Sequence, residues 1–471
     1  MAEQPLVEAW ESAREKRMRP LQVPGHKYRY SRPDPALDSP HLAALVRDDI
    51  SLQGGADDNY LRSKVLQRAE ALWSASVGAD HSRFLVGGSS QGNIASFTVI
   101  GGPDVHIAVD RTSHRSALAG LVLSGAMPVW VYPRIHPDLG LPLGLGPASL
   151  DGLPPGITAV FATTPSYVGT IADVAALAGR AHAEDRVLIV DQAWGAHLGF
   201  MPGRGAVELG ADIVTTSVHK ALMGYSQTAV TSVRGPRVSA ERLDRAVDLT
   251  ATTSPSATLL ASIDATRAVM EAHGPVALER AIASVTQMRA RLRRVPGLVV
   301  VDELELGQPC DPLKLTLWLP RTGVNGSELA ETLWQQGNGV ETADTDSIVV
   351  TMSMLDEPDF CREVADMLVD LIEARRSPAR SPAPAALWQV VPEVVVSPRV
   401  AFFAARRRVP LPAAIGEVSA EQFCPYPPGV PLLGPGERVT AQIVEDITQA
   451  GRTGRVAYCS DPSLRTIEIL T

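Results

Sequence analysis

The strongest constraint on the fold of this chain is a rhythm between about residue 60 and residue 235, where short apolar runs alternate with longer helical stretches. The runs are Phe84-Leu85-Val86, Val105 to Val109, Met127 to Val131, Ala159-Val160-Phe161, Val187 to Val190, Ile213-Val214 and Ala229-Val230. Continuous apolar runs of this length, rather than an in-out alternation, suit strands covered on both faces, and the helical stretches between them supply the cover. The pattern predicts βαβ units and a mainly parallel, doubly wound sheet. Such a sheet binds its ligands beyond the carboxyl ends of its strands. Polar segments fall just there: Gly87 to Asn93, Asp110 to Ser116, Asp191 to His197 and Ser217 to Lys220.

Composition limits the rest. A chain of 471 residues with 45% hydrophobic content can bury a large core and divides into two or three domains. Its net charge of -9 argues against a general nucleic-acid binder, because the basic stretches Arg291-Leu292-Arg293-Arg294 and Arg406-Arg407-Arg408 are too short to form a basic face. Cys310, Cys361, Cys424 and Cys459 are dispersed without C-x-x-C spacing, so they predict reduced thiols in a cytoplasmic protein, with no zinc site and no disulfide framework. No apolar run approaches the roughly 18 residues that a membrane span needs. Met1 to Arg19 is charged throughout and reads as a helical arm.

Beyond the alternating region, Ala257 to Val295 has helical periodicity interrupted near Gly274 and Pro275, which predicts long linking helices. Leu298 to Ala374 reads as a compact α/β piece, with strands at Leu315 to Leu319 and Ile348 to Met352 and helices at Gly326 to Gln336 and Glu357 to Glu373. Proline and small residues from Ser377 to Pro384 mark a break. The expected organisation is an arm (1–30), a large domain (31–256), linking helices with a small α/β domain (257–376) and a carboxyl-terminal subdomain (377–471).

Taken singly, the polar segments have ordinary explanations. Gly87 to Asn93 follows a strand and precedes a helix, which suits a tight turn as well as an anion site at a helix amino terminus. Lys220 would by default be a surface lysine, and Asp191 a strand-ending turn residue. Their order is the stronger signal. Pro24-Gly25-His26-Lys27, the Gly87 to Asn93 loop, Asp110 to Ser116, Asp191 to His197, Ser217-Val218-His219-Lys220, Thr252 to Ser256 and Pro425 to Pro431 follow one another from about residue 20 nearly to the end. In this the chain resembles the fold-type-I, pyridoxal phosphate (PLP)-dependent ornithine/lysine/arginine decarboxylases.

The resemblance implies an aspartate aminotransferase-like fold, PLP as cofactor and α-decarboxylation of arginine, lysine or ornithine to a di- or polyamine precursor. It makes Lys220 the lysine that carries the cofactor and Asp191 the carboxylate facing the pyridine nitrogen. Ser89, Ser90 and Gln91 would contact the phosphate, with Ser217 and His219 completing the cup. His114 would stack on one ring face and Ala193 on the other, beside Trp194, a position that is histidine in many short members. Val218, where threonine is usual, and Ala257, where an aromatic often follows, are smaller departures. Glu421 and Glu437, flanking the Pro425 to Pro431 segment, are the candidate acceptors for a cationic substrate end. Thr252 to Pro255 resembles the segment that reaches the neighbouring subunit's cofactor, implying a homodimer with the site at its interface. Because Pro-Gly-His-Lys starts at Pro24, the expectation is the short form, without an amino-terminal wing domain.

Two rival readings follow from the same residues. An aminotransferase of this fold would grip the substrate carboxylate with an arginine in an Arg-x-Ser-like segment, where this chain has Thr351-Met352-Ser353. A catalytically silent PLP-binding regulator would have less reason to keep Lys220, Asp191, His114 and the phosphate loop together.

Overall fold

The computed structural model describes residues 2–16, 24–27, 40–52, 56–57, 64–382, 391–426, 429–452 and 456–471. Each apolar run of the alternating region coincides with a strand, apart from Val86 and Val105 at the run ends: β1 His81–Leu85, β2 His106–Asp110, β3 Met127–Val131, β4 Ile157–Thr163, β5 Val187–Asp191, β6 Ile213–Ser217 and β7 Ala229–Val233. They form one sheet in the order β1-β7-β6-β5-β4-β2-β3. Pairs within β3-β2-β4-β5-β6 are parallel, while β7 runs antiparallel to both β1 and β6. The sheet is therefore mostly parallel, with one reversed strand.

Both faces are covered, as the unbroken apolar runs require. Phe161 and Ile189 point into a cluster with Phe97 and Leu121, from the helices Gly88–Ile100 and Ser116–Ser124. Their neighbours Val160, Leu188 and Val190 point the other way, onto Leu177 and Ala181 of the helix Val174–His182. The α/β, doubly wound architecture follows from this period-2 division of β4 and β5 between two helical layers.

One expected break is absent. Ala257–Leu292 is a single 36-residue helix that runs through Pro275. Proline removes one backbone donor and disfavours a helix interior, but Leu260, Ile263, Met270, Leu278, Val285 and Met288 along this helix are all buried. Packing of that face outweighs the local breaker. The amino-terminal helix Pro5–Glu15 docks on the same helix, where the buried Leu6 N–H donates to Asp264 at 2.9 Å.

The following α/β piece is an antiparallel sheet, β8 Val299–Val301, β9 Lys314–Trp318, β10 Thr342–Ala343 and β11 Ser347–Thr351, in the order β10-β11-β9-β8. The helices Gly326–Gln335 and Pro358–Ala374 accompany it. Trp318 joins it to the large sheet's loops, its indole N–H donating to the Leu139 carbonyl at 3.1 Å. Residues 377–382 contain no helix or strand, yet Arg380 ties them to this piece through Asp346 and the Thr345 carbonyl. The remainder of the proline-rich break, 383–390, lies outside the described residues.

The carboxyl-terminal part pairs β12 Arg406–Pro410 with β15 Thr466–Leu470, and β13 Cys424–Tyr426 with β14 Val456–Tyr458. It has its own apolar cluster, including Leu433, Ile443, Ile447 and Ile469. Among the described residues no helix is long and apolar enough to cross a membrane, and no group of His, Cys, Asp and Glu side chains could hold a metal ion.

Candidate active site

The carboxyl ends of the parallel strands meet a cavity of about 460 Å³, bordered by the turns after β1, β2, β4, β5 and β6. Because β7 is reversed, the turn that precedes it, with Ser226 and Gln227, opens on the same edge. Of the residues expected at the site, Ser89, Ser90, His114, Asp191, Ala193, Trp194, His219 and Lys220 border this cavity.

Asp191 ends β5 and is 2% exposed. Its Oδ1 accepts the Ala193 N–H at 3.0 Å and its Oδ2 accepts the Asn93 side-chain N–H at 2.8 Å. Burial raises its proton affinity above the ordinary carboxylate value, and the charge of Lys220 and these two hydrogen bonds work against that rise. Lys220 lies in the short helix Val218–Ala221 that follows β6, its Nζ 4.0 Å from the centre of the Trp194 ring. Burial favours its neutral amine, with Asp191 and Glu341 opposing. A buried amine and a fixed carboxylate therefore face one cavity, each shifted toward its neutral form by desolvation and held charged by the other.

On another wall, the helix Gly88–Ile100 begins without a side-chain cap. Gly88 has a left-handed φ of 70°, and a Cβ built on it would meet nothing within 4 Å. An uncapped helix start of this kind leaves N–H groups for an anion. The Ser217 hydroxyl donates to the Ser89 hydroxyl at 2.9 Å, holding Ser89 at the cavity from behind. His219 places Nδ1 2.9 Å from the Thr228 carbonyl. A carbonyl only accepts, so Nδ1 carries a proton. Gln91 differs from its expected role: its side chain turns back to accept the Gly87 N–H at 3.0 Å and fixes the loop rather than bordering the cavity.

His114 accepts the Ser116 N–H on Nδ1 at 3.2 Å, which leaves Nε2 to carry the proton of the neutral ring. Burial, then the charges of Lys220 and Arg115, lower its pKa to about 4. Gly429 packs against this ring. Its φ is 84°, and a Cβ there would come 3.2 Å from the ring's Cδ2. The Pro425 to Pro431 motif thus reaches the cavity through Tyr426 and Val430, with residues 427–428 outside the described set.

The two glutamates expected to meet a substrate are committed elsewhere. Glu437 is 2% exposed and accepts two hydrogen bonds from the Arg111 guanidinium, at 2.6 and 3.0 Å, as well as the Gly434 N–H. Glu421 accepts the Ser460 hydroxyl at 2.8 Å and the Glu468 N–H at 2.7 Å, beside a groove of about 740 Å³ that adjoins the Lys220 cavity at Ser90 and His114. Neither borders the Lys220 cavity. Proximity in sequence to the Pro425 to Pro431 segment located the right region but gave no side-chain direction.

Three further residues belong to the site that sequence reasoning did not single out. Asn93 holds Asp191, Glu341 borders the cavity from the end of the small sheet, and Lys314 on β9 places its Nζ 3.6 Å from the centre of the Trp194 ring. Asn93 was visible within the Gly87 to Asn93 motif. Glu341 and Lys314 carry no local motif and arrive only through the docking of β9 and β10. Thr252, Thr253 and Ser254 are exposed.

The donor set fits PLP along its length: an amine at Lys220, a carboxylate at Asp191, His114 and Ala193 for the ring faces, and the helix start with Ser89 and Ser90 for a phosphate.

Comparison with known proteins agrees. Residues 4–316 match the family model "Orn/Lys/Arg decarboxylase, major domain", and residues 383–451 match the model for the same family's C-terminal domain. The chain is 30% identical over 465 residues to an arginine decarboxylase of Halalkalibacterium halodurans, covering 95% of this chain and 94% of that protein. Its fold superposes on the constitutive lysine decarboxylase of Escherichia coli with a TM-score of 0.82 at 18% identity, covering all (100%) of this chain and 82% of that one. A serine palmitoyltransferase of Sphingomonas wittichii shares the fold more distantly, with a TM-score of 0.54 at 17% identity over 65% of this chain and 76% of that one. With the fold type I architecture and both family models in place, the chain belongs to the Orn/Lys/Arg decarboxylase family and is a basic-amino-acid decarboxylase.

Proposed function

We propose that this chain carries PLP on Lys220 and removes the α-carboxyl group of arginine, working in the cytoplasm as a homodimer. The observation that carries the cofactor reading is the placement of Lys220, Asp191 and the uncapped start of the helix Gly88–Ile100 around one cavity. Arginine is favoured over lysine by the relative that matches across nearly the whole of both chains. The dimer rests on the exposed Thr252 to Ser254 segment and its resemblance to the one that reaches a neighbouring subunit.

When bound, PLP supplies an electron sink for the pair left as carbon dioxide departs. Asp191 would keep a proton on the ring nitrogen, since its two oxygens are fixed by Asn93 and Ala193. Ser89, Ser90 and His219 would hold the phosphate end. The neutral His114 would lie against one face of the ring, with Nε2–H available as a donor. Lys220 would hold the cofactor, and its Nζ, facing the same cavity, would be placed to return a proton to the substrate's α-carbon. Among the described residues no arginine borders the cavity. This supports decarboxylation over transamination, because no guanidinium is placed to hold the α-carboxylate in the ring plane.

Borohydride reduction of the purified protein followed by peptide mapping tests the cofactor assignment. The pyridoxyl label is expected on Lys220, and its absence from Lys220→Met. A label on another lysine would overturn the assignment.

A further inference from the structure

Lys314 is 3% exposed and does not border the Lys220 cavity. Among the described residues its Nζ has the Tyr167 carbonyl, at 3.4 Å, as hydrogen-bond partner and no carboxylate oxygen within 4 Å. Its root is held firmly. β9 pairs Lys314 with Thr351 of β11, and the buried Arg289 guanidinium donates to its carbonyl at 2.6 Å. Its stem lies against Gly169, where an added Cβ would come 3.3 Å from the Lys314 Cβ. The ammonium is thereby set 3.6 Å from the centre of the Trp194 ring, and Lys220 Nζ lies 4.0 Å from the same centre. A cation buried without a close anion is costly. The electron-rich indole face offsets only part of that cost.

Lys220 faces the opposite difficulty. To bond a carbonyl cofactor it must present a neutral amine, whereas Asp191 and Glu341 both draw it toward the charged form. A second cation close by favours the neutral amine of a reactive lysine. The shared indole brings Lys314 that close. Lys314 is itself drawn toward its charged form by Asp311 and Glu341, and Asp311 also meets His197 at 3.1 Å. Burial lowers its pKa to about 8, which still leaves it charged near neutral pH. We propose that Lys314 is a positioning residue whose buried positive charge acts on Lys220 at the Trp194 ring, keeping the Lys220 amine free to take up the cofactor. The inference rests on Lys220 carrying PLP and names the residue that prepares it.

The test uses full-length protein stripped of PLP with hydroxylamine, as wild type, Lys314→Met and Lys314→Arg. Trace acetylation across pH 6 to 11, with peptide mapping of Lys220, reads the pH midpoint at which its amine becomes reactive. In Lys314→Met that midpoint should rise by about one pH unit, the size expected for loss of one charge several ångströms away in a protein interior. PLP uptake at pH 7, followed by visible absorbance, should then slow about 10-fold and converge with wild type at high pH, where the amine is neutral in both. Lys314→Arg keeps the charge and should stay near wild type. An unmoved Lys220 midpoint in Lys314→Met would overturn the proposal, whatever became of stability. An equal displacement in folded Lys314→Arg would overturn it too, because lost packing rather than lost charge would be moving Lys220. The midpoint is read without cofactor, so failure here is distinct from a borohydride label on another lysine, which would sink the cofactor assignment itself.

Discussion

Asp191 concentrates the most chemistry in one side chain. An amide at this position cannot keep a ring nitrogen protonated, and its NH₂ would also face one of the two donors, Asn93 or Ala193, that now converge on it. Asp191→Asn is expected to lower kcat on the order of 10³-fold or more while retaining cofactor. Near-normal turnover at full cofactor occupancy would contradict its role. Lys314 makes a prediction of another kind. Burial first, and then the charge of Lys220, lower its pKa to about 8 against the opposing pull of Asp311 and Glu341. Between pH 8 and the ordinary lysine value of 10.5 the unfolded chain therefore binds more protons than the folded one, and stability rises with pH across that window. Below pH 8 the buried ammonium costs its full penalty. Lys314→Met should then be the more stable protein near neutral pH, and its advantage in urea midpoint should shrink as the pH climbs from 8 to 10.5. A pH-independent difference between the two would remove Lys314 as the cause. The sequence showed Lys220 and Asp191 because both sit in motifs at strand ends. It hid Lys314 and Glu341 because their positions depend on how a second sheet docks.

At the scale of elements, the seven strands of the large sheet were legible because their apolar runs are unbroken and burial on two faces permits nothing else. The helix Ala257–Leu292 was legible in its ends but not in its continuity. Gly274 and Pro275 are strong local punctuation, and only the burial of Met270, Leu278 and Val285 on either side shows why the helix persists. That explanation has a consequence. Pro275 leaves the Glu271 carbonyl without its helical donor, so Pro275→Ala should add about 1–3 kcal/mol of stability by restoring it. Denaturant midpoints would show the gain, and destabilisation by the same change would mean that proline is fitted to a bend the packing needs.

Across the whole molecule, the carboxyl-terminal part is tied to the large domain by the Arg111–Glu437 pair, both side chains almost wholly buried. Breaking one partner of such a pair leaves the other charge uncompensated, at about 3–5 kcal/mol. Glu437→Gln should therefore lower the melting temperature while leaving the KM for arginine near its wild-type value in the protein that remains folded. A raised KM at unchanged stability would return Glu437 to the substrate site. That Glu437 turns onto Arg111 rather than toward the cavity is what the chain's linear order could not convey, since it lies near a recognisable motif. The activity itself remains the claim on which the rest depends. It is tested most directly by supplying carboxyl-labelled arginine, lysine and ornithine to the purified holoenzyme and measuring labelled carbon dioxide together with the amine left behind. Equal yields of the two products from arginine, with less from lysine and ornithine, is the predicted result, whereas amino-group transfer to a keto acid with no carbon dioxide released would contradict it.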